Sequence, residues 1–214
     1  MTETRSTDTY HHGDLRRTLI DNCLKLIEEK GVSGFTLREV ARISGVSPAA
    51  PYHHFKNKTE LLAAVAVMGF EMLDEAQRKA TDECDNSGCR LKALGKSYVM
   101  FAVNHKVYFH VMFRTSNELL WENAQVMNTA KHAFKYLENT IRELHPESEE
   151  GNDDQYKAAM LTCWSMVHGL ASLWVDGPLR AAESGKMDIE ELIDLVICQS
   201  RMPRVFDVNL KLPK

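Results

Sequence analysis

Residues 36–55 constrain this chain more than any other stretch, because they carry the start and stop signals of two short helices joined by a tight turn. Thr36 is a good N-cap residue, and Glu39 completes a capping box three positions later. Gly45 follows the first helix and can adopt a positive φ without a Cβ clash. The apolar face of this helix is formed by residues at helical spacing: Leu37, Val40 and Ala41.

A second helix is predicted directly after the glycine. Ser47 is placed to cap it, and Pro48 falls in its first turn, where a missing N–H has no cost. Two capped helices around a glycine turn are typical of a helix-turn-helix, which places its second helix in the major groove of DNA. The stretch therefore predicts a DNA-reading head.

Composition is that of an ordinary globular protein, with 44% hydrophobic and 26% charged residues in 214. The net charge of −4 does not by itself indicate nucleic acid. Residues 1–60 carry nine Lys and Arg against eight Asp and Glu, whereas the remainder carries 17 against 22, so a local basic surface is permitted in the first part. Nothing at the N-terminus resembles a signal peptide, and five cysteines without a tight framework favour a reducing, cytoplasmic location.

The rest of the chain shows helical spacing and no strand alternation. Asp14–Lys30 is predicted to be an amphipathic helix that ends at Gly31, and Thr59 is predicted to cap the next long helix. Residues 120–144 are predicted to form another long helix before an acidic loop. We predict an all-α chain with a three-helix head and a larger helical body. Its parts are a flexible arm (1–13), a helix-turn-helix DNA-binding domain (14–60), a connecting helix (61–77), a linker (78–90), an effector-binding and dimerisation domain (91–202) and a tail (203–214).

Residues 159–175 are apolar on nearly all sides, so this helix must be covered all round, although it is too short and too polar to be a confident membrane span. A second apolar stripe follows near residue 190, and two such helices suggest half of a four-helix bundle completed by a second copy. The expected dimer contacts are the apolar residues Leu173, Trp174, Ile189, Leu192, Ile193 and Val196. The alternative is that these helices only close the core of one chain.

Several motifs carry a resemblance to a known family. They are Gly34-Phe35-Thr36, Ile43-Ser44-Gly45-Val46-Ser47, Tyr52-His53-His54-Phe55 and Lys56-Asn57-Lys58-Thr59-Glu60-Leu61-Leu62. With them the chain resembles the tetracycline-repressor-like (TetR) family of bacterial transcription regulators, and Trp164 with His168-Gly169 is similar to the signature of one subgroup. The resemblance implies a homodimeric repressor that a small molecule releases from operator DNA. Pro51 departs from the family pattern, in which Leu or Ile is frequent.

For the head, the resemblance implies phosphate contacts from Thr36, Tyr52, His53 and Lys58. The candidates for base contacts are Ser47, Pro48, Ala49, Ala50 and His53. Since the proline and the two alanines have no side-chain donors, they contribute only shape and contact with thymine methyl groups. Part of the specificity should therefore come through DNA shape and water.

The middle helices are rich in Met and aromatic residues, as pockets for small apolar ligands are. The ligand-binding candidates are Phe101, His105, Phe109, Met112, Trp121, Met160, Trp164 and His168, with ordinary core as the alternative for each. No catalytic motif, metal-ligand pattern or cofactor loop is found, so neither an enzyme nor a cofactor is predicted. A rival hypothesis is a ligand-binding or thiol-redox sensor with little DNA affinity, using Cys84 and Cys89.

Overall fold

The computed structural model describes residues 12–114, 118–144, 153–182 and 187–199, and every regular element in these ranges is helical. The predicted all-α class is thus confirmed. Of the predicted arm at 1–13, residues 1–11 lie outside the described residues and the last two belong to the first helix; the acidic stretch at 145–152 and the tail at 203–214 also lie outside the described residues. In chain order the helices are α1 (His12–Lys30), α2 (Leu37–Ile43), a 3-10 turn (Ala50–His53), α3 (Lys58–Thr81), α4 (Ser87–Asn104), α5 (Lys106–Arg114), α6 (Glu118–Glu122), α7 (Ala124–Leu144), α8 (Asp153–Val175), α9 (Pro178–Ala182) and α10 (Ile189–Gln199).

The first half of the helix-turn-helix forms as its sequence predicts. The Thr36 hydroxyl accepts the Glu39 N–H at 3.2 Å, and the Glu39 carboxylate accepts the Thr36 N–H at 2.8 Å. Gly45 has a φ of +69°, which permits the sharp turn after α2. The Asn22 amide donates to the Ser44 hydroxyl at 3.0 Å and fixes the end of α2 against α1.

The second half differs from the expected α-helix capped by Ser47. Its only regular element is the 3-10 turn, which has no side-chain cap. Pro51 explains the difference, because it has no N–H to donate to the Ser47 carbonyl four residues earlier. That carbonyl instead accepts the Ala50 N–H at 3.0 Å, three residues on, which is the tighter 3-10 pattern.

Two helix starts also differ from expectation, and an asparagine explains each. Asn57, not Thr59, caps α3: its side-chain oxygen accepts the Glu60 N–H at 2.9 Å. The single long helix expected over 120–144 is broken at Asn123. The Asn123 side-chain oxygen accepts the N–H of Gln125 at 3.0 Å and so caps the start of α7.

Helix α3 joins head and body into one hydrophobic core. Leu61, Leu62 and Val65 in its first half are buried, as are Phe70 and Leu73 in its second half, and all lie in the same cluster. It packs against α1 on one side and against α4, α5 and α7 on the others. Of the predicted linker at 78–90, only residues 82–86 lie outside helices.

Helix α8 runs through the body but is not covered on all sides by the residues that the structure describes. Its Tyr156–Val175 segment is long and apolar enough to cross a membrane by length and composition alone, yet only 33% of it is buried. Core helices of water-soluble proteins pass the same test. The uncovered side includes Leu161 and Leu173, which are 57% and 51% exposed.

Candidate DNA-binding surface and ligand cavities

The residues expected to read bases lie on the surface of the 3-10 turn and the segment before it. Ser47, Pro48, Ala49 and His53 are exposed, and Ala50 is half-buried. Pro51 is buried beneath them and holds the turn to the head. The turn thus presents a short and almost donor-free ridge.

Tyr52 is the largest exposed side chain of this ridge. Its ring is 51% exposed and therefore contributes little to the core. Next to it, Phe55 is only 3% exposed and packs inside the head, with the Arg16 guanidinium 5.3 Å from its ring centroid. Tyr52 is thus available for a DNA contact, whereas Phe55 is core.

Lys58 is engaged within the protein and does not extend freely towards solvent. Its ammonium donates to the carbonyl oxygens of Phe35 at 2.8 Å and Ser33 at 3.3 Å, and it lies 4.0 Å from the Phe35 ring centroid. Burial lowers the pKa of Lys58, and burial raises the pKa of the neighbouring Cys23 thiol to about 12. The contacts tie the start of α3 to the loop between α1 and α2.

Two cations that the sequence did not single out lie on α2. Arg38 and Arg42 are one helical turn apart and exposed, on the side away from the buried Leu37 and Val40. Neither forms an ion pair with another residue that the structure describes. The i, i+4 spacing of the two arginines was the available signal. They add positive charge to the head beside the exposed Thr36.

A hydrogen-bonded aromatic cluster occupies the body between α4, α5 and α8. The Tyr98 hydroxyl lies 2.8 Å from His168 Nδ1 and accepts the Trp164 indole N–H at 3.3 Å. The Phe113 ring centroid lies 5.1 Å from that of His168 and 5.3 Å from that of Phe109. The Tyr98 hydroxyl donates to Nδ1 when the neutral imidazole carries its proton on Nε2, and burial lowers the pKa of His168.

The predicted ligand residues divide among several places. Phe109, Trp164 and His168 join the aromatic cluster, and Trp121 reaches it through Phe113, with ring centroids 6.5 Å apart. The remaining candidates lie outside the cluster. The Phe101 ring contacts that of His105, which lines a 630 Å³ groove between α1 and the α4–α5 corner. Met112 packs against Gly69, and Met160 lines a groove between α7 and α8.

An inner chamber, lined in part by Gln77, Tyr98, Phe134 and Trp164, has a volume of about 20 Å³. Gln77 is only 5% exposed, and its side-chain oxygen has no hydrogen-bond partner among the described residues. A buried amide oxygen without a partner is costly. Sequence reasoning missed this residue, although a glutamine one turn after Leu73 on an apolar face was a signal.

Asp176, just after α8, connects that helix to the C-terminal half of α5. Its carboxylate forms an ion pair with Arg114 and lies 3.4 Å from His110 Nε2. Burial, followed by the Arg114 charge, lowers the pKa of His110, so the imidazole is neutral at pH 7. These contacts hold the C-terminal half of α5 against the end of α8.

The residues expected at a dimer interface do not all face outwards. Leu173 is exposed, and Trp174, Ile189 and Val196 are half-buried. Ile193 is fully buried and Leu192 nearly so, where α10 packs against α4. For Ile193 the expectation is wrong, because its side chain already closes the core of this chain and offers no surface to a second copy.

The thiols expected to be the redox pair lie close together at the junction of α3 and α4. The hydrogen bond with Cys89 raises the pKa of Cys84 to about 11, so the Cys84 thiol is protonated at neutral pH. A protonated thiol is a poor nucleophile, so in the redox hypothesis Cys84 would not be the attacking thiol of the pair. The described residues contain no group of three or more His, Cys, Asp or Glu side chains arranged for a metal ion.

Comparisons with known proteins cover both halves of the chain. The family of bacterial regulatory proteins, tetR family, matches residues 19–65, and the tetracyclin repressor-like C-terminal domain matches residues 91–198. An uncharacterised HTH-type transcriptional regulator of Haemophilus influenzae is 27% identical over 195 residues, which are 87% of each chain.

Solved structures share the fold. A protein of unknown function from Rhodococcus sp. RHA1 is 29% identical, with a TM-score of 0.70 over 93% of this chain and 96% of that one. AibR, solved with isovaleryl coenzyme A and operator DNA, is 18% identical, with a TM-score of 0.64 over 86% of this chain and 97% of that one. At that identity the likeness to AibR concerns the fold alone.

Proposed function

This chain belongs to the tetR family of bacterial regulatory proteins and is a DNA-binding transcriptional regulator rather than an enzyme, and we propose that it is a homodimeric repressor that a small molecule releases from its operator. Regulators of this family bind operator DNA and small-molecule effectors. The observation that carries the proposal is the pairing of an exposed reading ridge at one end with an incompletely covered apolar helix and an aromatic cluster at the other.

At the DNA, the ridge from Ser47 to His53 lies in the major groove, while Arg38 and Arg42 approach phosphates beside it. Thr36 and Tyr52 position the head on the backbone, and Lys58 acts indirectly by holding the loop before α2. One such ridge contacts few bases, so two heads are needed, at half-sites about 34–36 Å or a multiple of it apart.

The proposed dimer forms along the uncovered side of α8. Leu161 and Leu173 are more than half exposed there, and Leu195 on α10 is 40% exposed. Apolar side chains in such a row favour contact with a second apolar surface. Leu173, Trp174, Ile189 and Val196 remain the proposed interface residues, joined by Leu161, whereas Leu192 and Ile193 are left out because both are buried within this chain.

Release of DNA would follow from movement of α5. This helix carries Phe109 and Phe113 into the aromatic cluster and also packs against α1 of the head and against α3. A ligand that separates the aromatic side chains displaces α5, and the displacement reaches α1. The ligand lowers DNA affinity to the extent that it prefers the displaced arrangement.

We take the regulation to be repression because a dimer bound across a promoter excludes polymerase by volume alone. Membership of the subgroup with the Trp…His-Gly signature is part of the proposal, and the contacts of Trp164 and His168 with the Tyr98 hydroxyl give these two residues a shared structural role. The chain's place of action is then the cytoplasm, where the DNA is.

A gel shift with DNA from upstream of the chain's own gene tests the proposal. The full chain should retain one of these fragments at low salt, with a stoichiometry of two chains per site by light scattering. A monomer in solution that retains no fragment would refute it. Addition of cell metabolite extract should release the bound fragment.

A further inference from the structure

The groove between α7 and α8, called the outer groove here, lies next to the inner chamber. It has a volume of about 430 Å³, and residues that line it include Lys131, Phe134, Lys135 and Met160. Phe134 lines the inner chamber as well, so its side chain is the partition between the two spaces. Its ring meets Trp164 edge-on, with centroids 5.3 Å apart and planes at 84°.

The inner chamber favours a ligand with a hydrogen-bonding group. The buried Gln77 side-chain oxygen has no partner among the described residues and lines a chamber otherwise walled largely by apolar and aromatic side chains. Since an amide can be turned to present either its oxygen or its NH₂, a hydroxyl group satisfies it in both orientations. A hydroxyl on a ligand would therefore remove the cost of the unpartnered atom.

The partition favours a flat ligand. The 20 Å³ chamber has room for little more than one water molecule, so a larger ligand must turn the Phe134 ring aside. An aromatic ring that takes the vacated place restores the edge-on contact with Trp164 and keeps the aromatic lining intact.

The outer groove favours a negative charge. Lys131 and Lys135 are one helical turn apart on α7, both are exposed, and neither forms an ion pair with a described residue. Among the described residues that line this groove, Glu138 carries the one carboxylate, and it is already paired with Arg142 at 3.1 Å. The groove thus offers two uncompensated ammonium groups at the mouth of the chamber.

We propose that the effector is a hydroxyaryl carboxylic acid, bound with its ring hydroxyl on Gln77, its ring in the place of Phe134 and its carboxylate between Lys131 and Lys135. The proposal rests on the ligand-responsive function above and adds the chemical class of the ligand. It also assigns specificity to Gln77 and to the two lysines.

Calorimetric titration of the full chain with matched probes tests each end of the site. The probes are 3-(4-hydroxyphenyl)propionate, 3-phenylpropionate without the hydroxyl, and 4-ethylphenol without the carboxylate. The first should bind about two- to fivefold more tightly than either of the others, the effect of one hydrogen bond or one exposed ion pair.

Two variants should remove these differences separately. Gln77→Leu should make the first two probes bind equally and leave the carboxylate effect in place; Gln77→Met serves if the leucine variant melts early. The double variant Lys131→Gln/Lys135→Gln should abolish the carboxylate effect and leave the hydroxyl effect. Gln125→Leu and Lys92→Gln, at exposed positions that line neither space, are the matched controls and should retain both effects.

Failure to bind the hydroxyaryl acid, or differences between probes that persist in the variants, would overturn the assignment. The gel shift separates this outcome from failure of the proposed function. If the probe binds as described but leaves the DNA complex intact, release by this ligand is refuted and the site stands. If metabolite extract releases DNA while none of the probes binds, the ligand class is wrong and the release stands.

Discussion

The Lys58 ammonium donates a 2.8 Å hydrogen bond to the carbonyl oxygen of Phe35 and lies over the ring of the same residue. Lys58→Met keeps most of the side-chain stem and removes both hydrogen bonds to the loop before α2. We expect the free energy of unfolding to fall by about 1 kcal/mol, since the group is partly exposed. Urea denaturation measures this loss.

The same variant should leave the salt dependence of DNA binding unchanged, because an ammonium group held by protein carbonyls does not neutralise a phosphate and so displaces no counterion from the DNA. A decrease of about one unit in the slope of log K against log salt would instead show that Lys58 binds a phosphate.

Arg38→Gln should have the opposite pair of effects: unchanged stability and a changed salt dependence of DNA binding. The side chain is exposed and without an ion pair among the described residues, so stability should stay within about 0.5 kcal/mol of the original chain. If Arg38 contacts a phosphate, affinity falls for specific and non-specific DNA alike and the salt slope drops by about 0.9. Fluorescence anisotropy at several salt concentrations measures both the DNA affinity and its salt slope. A loss of affinity confined to one DNA sequence would contradict the phosphate role.

Stability should decline in mild acid. Burial lowers the folded-state pKa of His168, and that of His110 is lowered in the same way. The folded chain therefore binds these protons less readily than the unfolded chain, and stability is lost as pH falls below the unfolded value of about 6.5. Thermal melting between pH 7.5 and about 5 should show this trend.

His168→Asn removes one of the titrating groups and should weaken the pH dependence. His132→Asn, at an exposed position of α7, is the control and should leave it as it was. An equal effect of both substitutions would show that His168 is not the source.

Leu173→Asp should dissociate the proposed dimer. The side chain is 51% exposed in the single chain, so the change removes little intrachain packing, yet it would place a charge in the apolar contact. Light scattering should show a shift to monomer, together with weaker binding to a two-half-site operator. Gln125→Asp introduces the same charge at an exposed position of α7 and serves as the control, in which the dimer should persist. If the dimer also persists unchanged in Leu173→Asp, the exposed face of α8 is not the interface.

Sequence reasoning succeeded where one residue type determines a local conformation. The capping box of Thr36 with Glu39 and the left-handed turn at Gly45 need only neighbours in the chain, and both formed as expected. It failed where two local signals compete. Asn57 competes with Thr59 for the start of α3, and Asn123 caps α7 within an otherwise continuous helical pattern.

The candidate sites were less predictable because they depend on contacts distant in sequence. Nothing near Lys58 in the sequence indicates that its ammonium reaches Ser33 and Phe35, and nothing near Gln77 indicates that it lines the same chamber as Trp164. Aromatic richness located the body cluster in general but could not separate Phe109 in the cluster from Phe101 beside α1.

The continuity of α3 through head and body has a practical consequence for building hybrid regulators. A crossover placed within α3 would join half of one protein's packing surface to half of another's, and the mismatched side chains would have to repack. Residues 82–86 are the first point after the head where the chain leaves a helix. A sensor module grafted there keeps the whole of α3 beside its own α1, and the α3 side chains that pack against α4, α5 and α7 must then be matched to the grafted body.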